Sequence, residues 1–248
     1  MSILLPSTQL LPPQVLIRLM DDKRYGVEYQ PIIHLSSLET FAYECLARFF
    51  DEKNTQVRPD LVYASLHGCS LGLYQVEYQQ KLLQLSNAPS SEKIFVNMDQ
   101  DSYFASGVKG ENNPFIELFK DFPQMDITIE LIENSAINDA MMSLEMIFDL
   151  SGNEIPTALD DVCDPNSMIS TSVIQLVEYI KLDRFVVTNR RDKDFLQLVS
   201  LIIDFAHNVG KKVVLEGIET TEDLDFARQL GVDFIQGFLF RDRFINFS

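Results

Sequence analysis

Polar side chains of a restricted kind sit at or just beyond the ends of short apolar runs in this chain: Asn97, Glu130, Asp160 and Asp161, Lys181 and Asp183, Glu216, and Gln236. One acid in such a place is ordinarily a helix N-cap or a solvated loop residue. The set is different. Several acids, two amides and a lysine gathered on one rim would repel and desolvate one another at a cost of several kcal/mol without a cation between them. An oxygen-rich donor set with no clustered His or Cys favours a hard divalent ion, Mg²⁺ or Mn²⁺, over zinc. The adjacent Asp160 and Asp161 suit two ions, and a two-metal clamp is the usual device for hydrolysing a phosphodiester.

Such residues need elements that carry them to one place. Short apolar, mostly β-branched or aromatic runs at residues 27–33, 41–46, 94–98, 127–131, 157–159, 179–182, 213–215 and 234–235 predict strands. Amphipathic stretches at 61–71, 76–85, 140–150, 169–177, 195–209 and 224–230 predict helices between them. Within 195–209, the spacing of Leu198, Val199, Ile202, Phe205 and Ala206 predicts one buried face. Gly210 and Gly231 stand where helix C-caps belong, each leading into a strand. The alternation predicts a closed β/α barrel whose strand ends meet on one face, and the turn-like Ser36-Ser37 predicts a hairpin start with one antiparallel strand.

Composition narrows the ligand. The 248 residues carry 20 Lys and Arg against 37 Asp and Glu, a formal charge of -17, which excludes bulk nucleic-acid binding but leaves room for a small anion beside a bound cation. The three cysteines, Cys45, Cys69 and Cys163, form no Cys-x-x-Cys pair, so neither a disulfide framework nor a thiolate zinc site is expected. The first residues lack the basic n-region of a secretory signal, and no apolar stretch is long enough to span a bilayer. The expectation is one cytoplasmic domain over residues 1–248, with a core at about 25–240 and no membrane association.

In order, these residues resemble the EAL domain family, whose members hydrolyse the bacterial second messenger cyclic di-GMP. The resemblance runs from about Tyr25 to Phe240. It rests on Tyr29-Gln30-Pro31-Ile32, on Glu44-Cys45-Leu46-Ala47-Arg48 for the signature Glu-Ala-Leu-x-Arg, and on Val96-Asn97-Met98. Glu130-Leu131-Ile132-Glu133, Leu159-Asp160-Asp161, Lys181-Leu182-Asp183, Glu216-Gly217-Ile218-Glu219 and Gln236-Gly237 complete it. It implies an α/β fold, a modified TIM (β/α)8 barrel with one antiparallel strand. It also implies metal ligands Glu44, Asn97, Glu130, Asp160, Asp161 and Glu216 for two Mg²⁺ or Mn²⁺ ions. Lys181 would position or activate the attacking water, and Lys181, Glu44 and Glu216 carry the catalytic roles. Gln30, Leu46 and Arg48 would contact the dinucleotide, with Asp183, Glu219 and Gln236 around the guanine and the metals, and Glu133 would anchor a loop. The implied product is linear pGpG, and a homodimer is expected.

The sequence departs from the family after the paired aspartates. The usual Asp-Asp-Phe-Gly-Thr-Gly-Tyr-Ser-Ser reads Asp160-Asp161-Val162-Cys163-Asp164-Pro165-Asn166-Ser167-Met168 here. Two glycines are gone and a proline has entered, so this loop is not expected to keep the family shape. Cys45 replaces the signature alanine as a small packing residue, and Phe240-Arg241-Asp242-Arg243-Phe244 stands where the family places a proline. His34, His67 and His207 fall on no family ligand position. Two readings follow: an active phosphodiesterase, or a weak or inactive domain that serves as a cyclic di-GMP receptor or protein-interaction module. A different metal-dependent barrel enzyme would explain the rim acids but not the ordered motifs. Within these 248 residues no sensory domain is expected beside the barrel, so the expectation is that regulation acts on the barrel or comes from a protein partner.

Overall fold

The computed structural model describes residues 10–89, 93–132 and 137–247. The chain opens with helix α1 (Pro13–Asp21), started by a proline at its first turn, where a missing N–H costs nothing. Strands β1 (Tyr25–His34) and β2 (Thr40–Phe50) then form an antiparallel hairpin in which Gln30 faces Glu44, Glu28 faces Leu46 and Gly26 faces Arg48. A short β3 (Gln56–Val57) folds back on the end of β2. Helices α2 (Pro59–Leu66) and α3 (Ser70–Ser86) lead to β4 (Lys93–Met98), which lies parallel to β2.

From there strand and helix alternate. Helices α4 (Gln100–Phe104) and α5 (Pro114–Lys120) precede β5 (Asp126–Ile132), and α6 (Ile137–Ser151) precedes β6 (Thr157–Val162). Then come α7 (Thr171–Leu176), β7 (Tyr179–Leu182), α8 (Phe185–Thr188), α9 (Lys193–Asn208), β8 (Lys212–Leu215), α10 (Thr221–Leu230), β9 (Phe234–Ile235) and β10 (Ile245–Phe247). The sheet runs β1-β2-β4-β5-β6-β7-β8-β9 and closes back on β1, which is antiparallel to both neighbours. This is the α/β barrel with one reversed strand that the sequence predicts. Because β9 is short, it meets β1 at Ile33 and His34, and β10 covers β1 beside Val27 to Tyr29.

Side chains on alternate strand positions divide the core in two. One set points out under the helices and forms the main cluster, including Val96, Ile129, Leu159, Ile180, Val213 and Ile235. The other points in, where Ile32, Ala42, Phe95, Ala158, Val214 and Phe234 plug the barrel interior. Gly231 closes α10 at φ 74°, as its C-cap position requires. The buried face of α9 is rotated from the predicted one. Val199, Ile202, Ile203 and Ala206 are buried while Leu198 is half exposed, because apolar residues at 198, 199, 201, 202 and 203 fit more than one stripe and the barrel wall selects among them.

Candidate metal centre

Each barrel strand places a polar residue two positions from the interior plug. The pairs are Ile32 and Gln30, Ala42 and Glu44, Phe95 and Asn97, Thr128 and Glu130, Ala158 and Asp160, Tyr179 and Lys181, Val214 and Glu216, and Phe234 and Gln236. A step of two keeps a side chain on the same face of a strand, so the polar residues stack above the plug. On β1 the step runs backwards because that strand is reversed.

Lys181 stands at the centre of this layer and is fully buried. Its Nζ lies 2.7 Å from Glu130 Oε1, 2.8 Å from Glu216 Oε1, 3.0 Å from Asp160 Oδ1 and 3.6 Å from Glu44 Oε1. Burial alone would strip its proton, but Asp160, Glu130, Glu216 and Glu44 outweigh that and push its pKa well up. Lys181 is therefore a fixed ammonium near neutral pH. It holds positive charge at the centre of the layer.

One lysine does not balance five acids. Burial, then the charge of Glu44, drives Glu130 well above the carboxylate range, and burial raises Asp160 as well. Burial and Asp160 lift Asp161 to about 7, and burial lifts Glu216 to about 8. Glu44 alone is held low, since Lys181 and hydrogen bonds from Gln236 and Asn97 overcome its burial. Gln236 Nε2 donates to Glu44 Oε2 at 2.5 Å and Asn97 Nδ2 to Glu44 Oε1 at 3.0 Å. Both oxygens of Glu130, and Oδ1 of Asp160, are buried without a well-directed hydrogen bond. Carboxylate oxygens brought close in two groups, Glu44 with Glu130 and Asp160, and Asp160 with Asp161 and Glu216, fit hard divalent cations.

Above this layer opens a cavity of about 540 Å³. Gln30, Leu46, Arg48, Asp161, Glu219 and Gln236 line it, with Glu130 and Lys181 sealed beneath. Asp183 accepts from the Phe185 amide at 2.7 Å at the start of α8, and its charge is among those that raise Asp161. Glu133 lies outside the described residues. The glycines of two motifs have steric reasons. A Cβ on Gly217, at φ 77°, would come within 2.5 Å of Arg184 Cβ, and one on Gly237 within 2.2 Å of the Ile218 carbonyl.

The turn after Asp161 keeps part of a glycine-type course without glycine. Asp161 has φ 55° and Cys163 φ 74°, and Cys163 occupies the position where the family run has its first glycine. Pairing of Val162 with Leu182 and the Asp183 amide bond to the Val162 carbonyl hold the strand end in place before this turn.

Sequence reasoning missed one wall of the cavity. On α3, Glu77, Gln80, Lys81 and Gln84 are all buried. Lys81 pairs with Glu77 at 2.7 Å, Tyr63 Oη donates to Glu77 at 2.6 Å, and Gln80 and Gln84 donate to the carbonyls of Gly26 and Cys45. Their three- and four-residue spacing is a polar stripe at helical period, which was the available signal.

A closed β/α barrel with a buried lysine under a mouth of carboxylates is a fold and site suited to holding divalent cations against a phosphate-bearing ligand. The chain belongs to the EAL domain family, whose profile matches residues 14–242. It is 24% identical over 236 residues to the Escherichia coli strain K12 protein named probable cyclic di-GMP phosphodiesterase PdeG, covering 92% of this chain and 46% of that one. The chain spans about a third to a half of the length of the first curated relatives it matches. Its fold matches the FimX EAL domain from Pseudomonas aeruginosa bound to c-di-GMP, with TM-score 0.75 and 18% identity over 91% of this chain and 93% of that one. It also matches the Bacillus subtilis YkuI protein in complex with c-di-GMP and calcium, with TM-score 0.70 and 20% identity over 93% of this chain and 58% of that one. Among the described residues no helix is long and apolar enough to cross a membrane.

Proposed function

We propose that this chain hydrolyses cyclic di-GMP to linear pGpG with Mg²⁺ or Mn²⁺ held by Glu44, Asn97, Glu130, Asp160, Asp161 and Glu216. The observation that carries the reading is the Lys181-centred carboxylate group, buried and short of positive charge, at the floor of an open cavity. Names of relatives support it, since PdeG is called a probable phosphodiesterase of this ligand and FimX and YkuI were solved with it.

Bound cations would supply Lewis-acid polarisation of the phosphodiester and an activated water for in-line attack. The residues of the chain do the rest. Lys181 fixes the carboxylates of Glu130, Asp160 and Glu216 at ion-pair distance, so they need little reorganisation to act as ligands. Gln236 and Asn97 orient Glu44. Arg48 and Gln30 meet the phosphate side of the dinucleotide, Leu46 gives it an apolar wall, and Glu219 lies on the guanine side. The ammonium of Lys181 stabilises charge that builds on the phosphoryl oxygens.

Incubation with cyclic di-GMP and Mn²⁺ or Mg²⁺, followed by chromatography of pGpG with Glu44→Ala in parallel, tests this. Turnover is expected in the parent chain and a loss of at least about a hundredfold in the variant. A receptor reading is favoured by one observation: Asp161, a ligand for the second ion, sits on a backbone turn with two non-glycine residues at positive φ. Tight binding of intact cyclic di-GMP in both proteins would establish that reading instead. A single domain, a homodimer, a regulatory protein partner and a cytoplasmic location complete the proposal.

A further inference from the structure

We infer that Glu28 is an internal competitor for the ligand's phosphate, setting the affinity of the pocket by occupying Arg48 and Gln30 until a phosphate displaces it. The inference rests on the cyclic di-GMP reading above and adds to it a residue outside the motifs that carry the resemblance.

The geometry comes from the reversed strand. Positions 26, 28 and 30 of β1 share the inward face, and Gly26 stands opposite Arg48. With no side chain at 26, the guanidinium lies across to the next inward residue. There Arg48 Nη2 donates to Glu28 Oε1 at 2.6 Å, and Gln30 Nε2 donates to the same oxygen at 2.8 Å. The other Arg48 terminal nitrogen donates to its neighbour's carbonyl, Ala47, at 2.8 Å. One carboxylate oxygen thus gathers the two polar groups of the cavity wall that were expected to meet the dinucleotide.

This pair differs from the acids below it. Its side chains keep 18% and 19% exposure, so it is neither sealed like Lys181 nor free like a surface bridge. A phosphate reaching the cavity offers the guanidinium the same forked geometry as a carboxylate and competes for the same N–H groups. While Glu28 stays, the arginine's charge is neutralised and a second anion beside it is repelled. Binding therefore requires an exchange in which Glu28 swings aside into water, a course its partial exposure permits.

Glu28→Gln removes the charge and keeps the shape and an accepting oxygen. Calorimetric titration with cyclic di-GMP in Ca²⁺, the cation of the YkuI complex, is expected to show affinity rising on the order of fivefold. The salt dependence should steepen, because an uncompensated guanidinium then meets the phosphate. In an Arg48→Ala background the same change should alter affinity less than about twofold. A purely structural Glu28 would not produce that coupling. Glu28→Ser provides the same loss of charge should the glutamine variant melt early. Unchanged or weaker binding in Glu28→Gln, with the parent binding normally, overturns the competitor role and leaves the dinucleotide reading intact. Absence of binding in the parent and all variants overturns both.

Discussion

The interior plug and the polar layer above it lie on the same strands, two residues apart, yet they act on stability in opposite directions. Phe95, buried completely and edge-on to Tyr179 at 5.0 Å, represents the lower region. It removes apolar surface from water and makes the barrel solid. Glu130 represents the upper region, equally buried, with both oxygens lacking a directed hydrogen bond. Without cations this layer is a cost that the plug and outer core must offset. The difference shows where the fold keeps a functional site that is unfavourable by itself: at the shortest step along a strand that stays on the same face.

The largest effect should come from removing the cation of the layer. Lys181→Ala leaves four neighbouring carboxylates without their counter-charge and should destabilise the chain by about 3–5 kcal/mol at neutral pH while abolishing turnover. Phe95→Ala in the plug should cost about 3–4 kcal/mol by leaving a cavity. The two are told apart by acid: urea melts at pH 5 and pH 8 should show the lysine variant partly restored at low pH, where the acids take protons, and the phenylalanine variant equally damaged at both. Equal pH dependence would break the comparison.

Next in size is the effect of pH on the parent chain. Asp161 and Glu216 titrate near 7 and 8 in the fold and near 4 when unfolded. The folded state therefore binds more protons through this window, and the stability they contribute below pH 4 is lost as pH rises towards 8. Thermal melts in EDTA should fall by roughly 5 °C or more between pH 5 and pH 8. Mn²⁺ should reverse the trend, because it binds the deprotonated carboxylates. A cation-free melt that rises over that range would contradict the picture of a charge-rich layer.

Glu130→Gln removes an ionisable acid from the sealed group and should stabilise the cation-free chain by about 1 kcal/mol at high pH, where that acid would otherwise ionise, while the Mn²⁺-induced rise in melting temperature shrinks. Loss of stability in that variant would mean that Glu130 is already satisfied by Lys181. The smallest expected change is Cys163→Gly. Relief of a left-handed residue, about 1 kcal/mol, nearly offsets the loss of a buried thiol, so the melting temperature should move by less than about 3 °C. A larger drop would show that the thiol, and not strand pairing, holds this turn.

The polar layer was legible in the sequence because short strands repeat one pattern: an apolar residue, a residue facing the helices, and then Asn97, Glu130, Lys181 or Gln236. Other features were harder to read. Glu28 precedes the recognisable Tyr29-Gln30-Pro31, and although Ser36-Ser37 predicts a hairpin, nothing local says which strand of the pair is reversed or that 28 faces the mouth. The polar face of α3 was passed over, since Leu73, Val76 and Leu85 mark an apolar face while the barrel also buries Gln80 and Gln84 against strand carbonyls. Asp183 is named by the resemblance alone: β7 ends at Leu182, so no strand periodicity extends to it, and its carboxylate accepts from the Phe185 amide while its charge reaches Asp161. Short elements such as α4, α8 and β10 lack enough residues to show a period.

The reversed β1 also changes the mechanics of the barrel. In a fully parallel barrel a strand's incoming chain enters at the closed end, remote from the mouth. Here α1 hands over to β1 on the open side, and only Asp22, Lys23 and Arg24 separate the helix from the strand that carries Gly26, Glu28 and Gln30. A tug on α1 therefore has a short lever onto Arg48. A tug on α9 is delivered through β8 to the plug first, where close packing resists it.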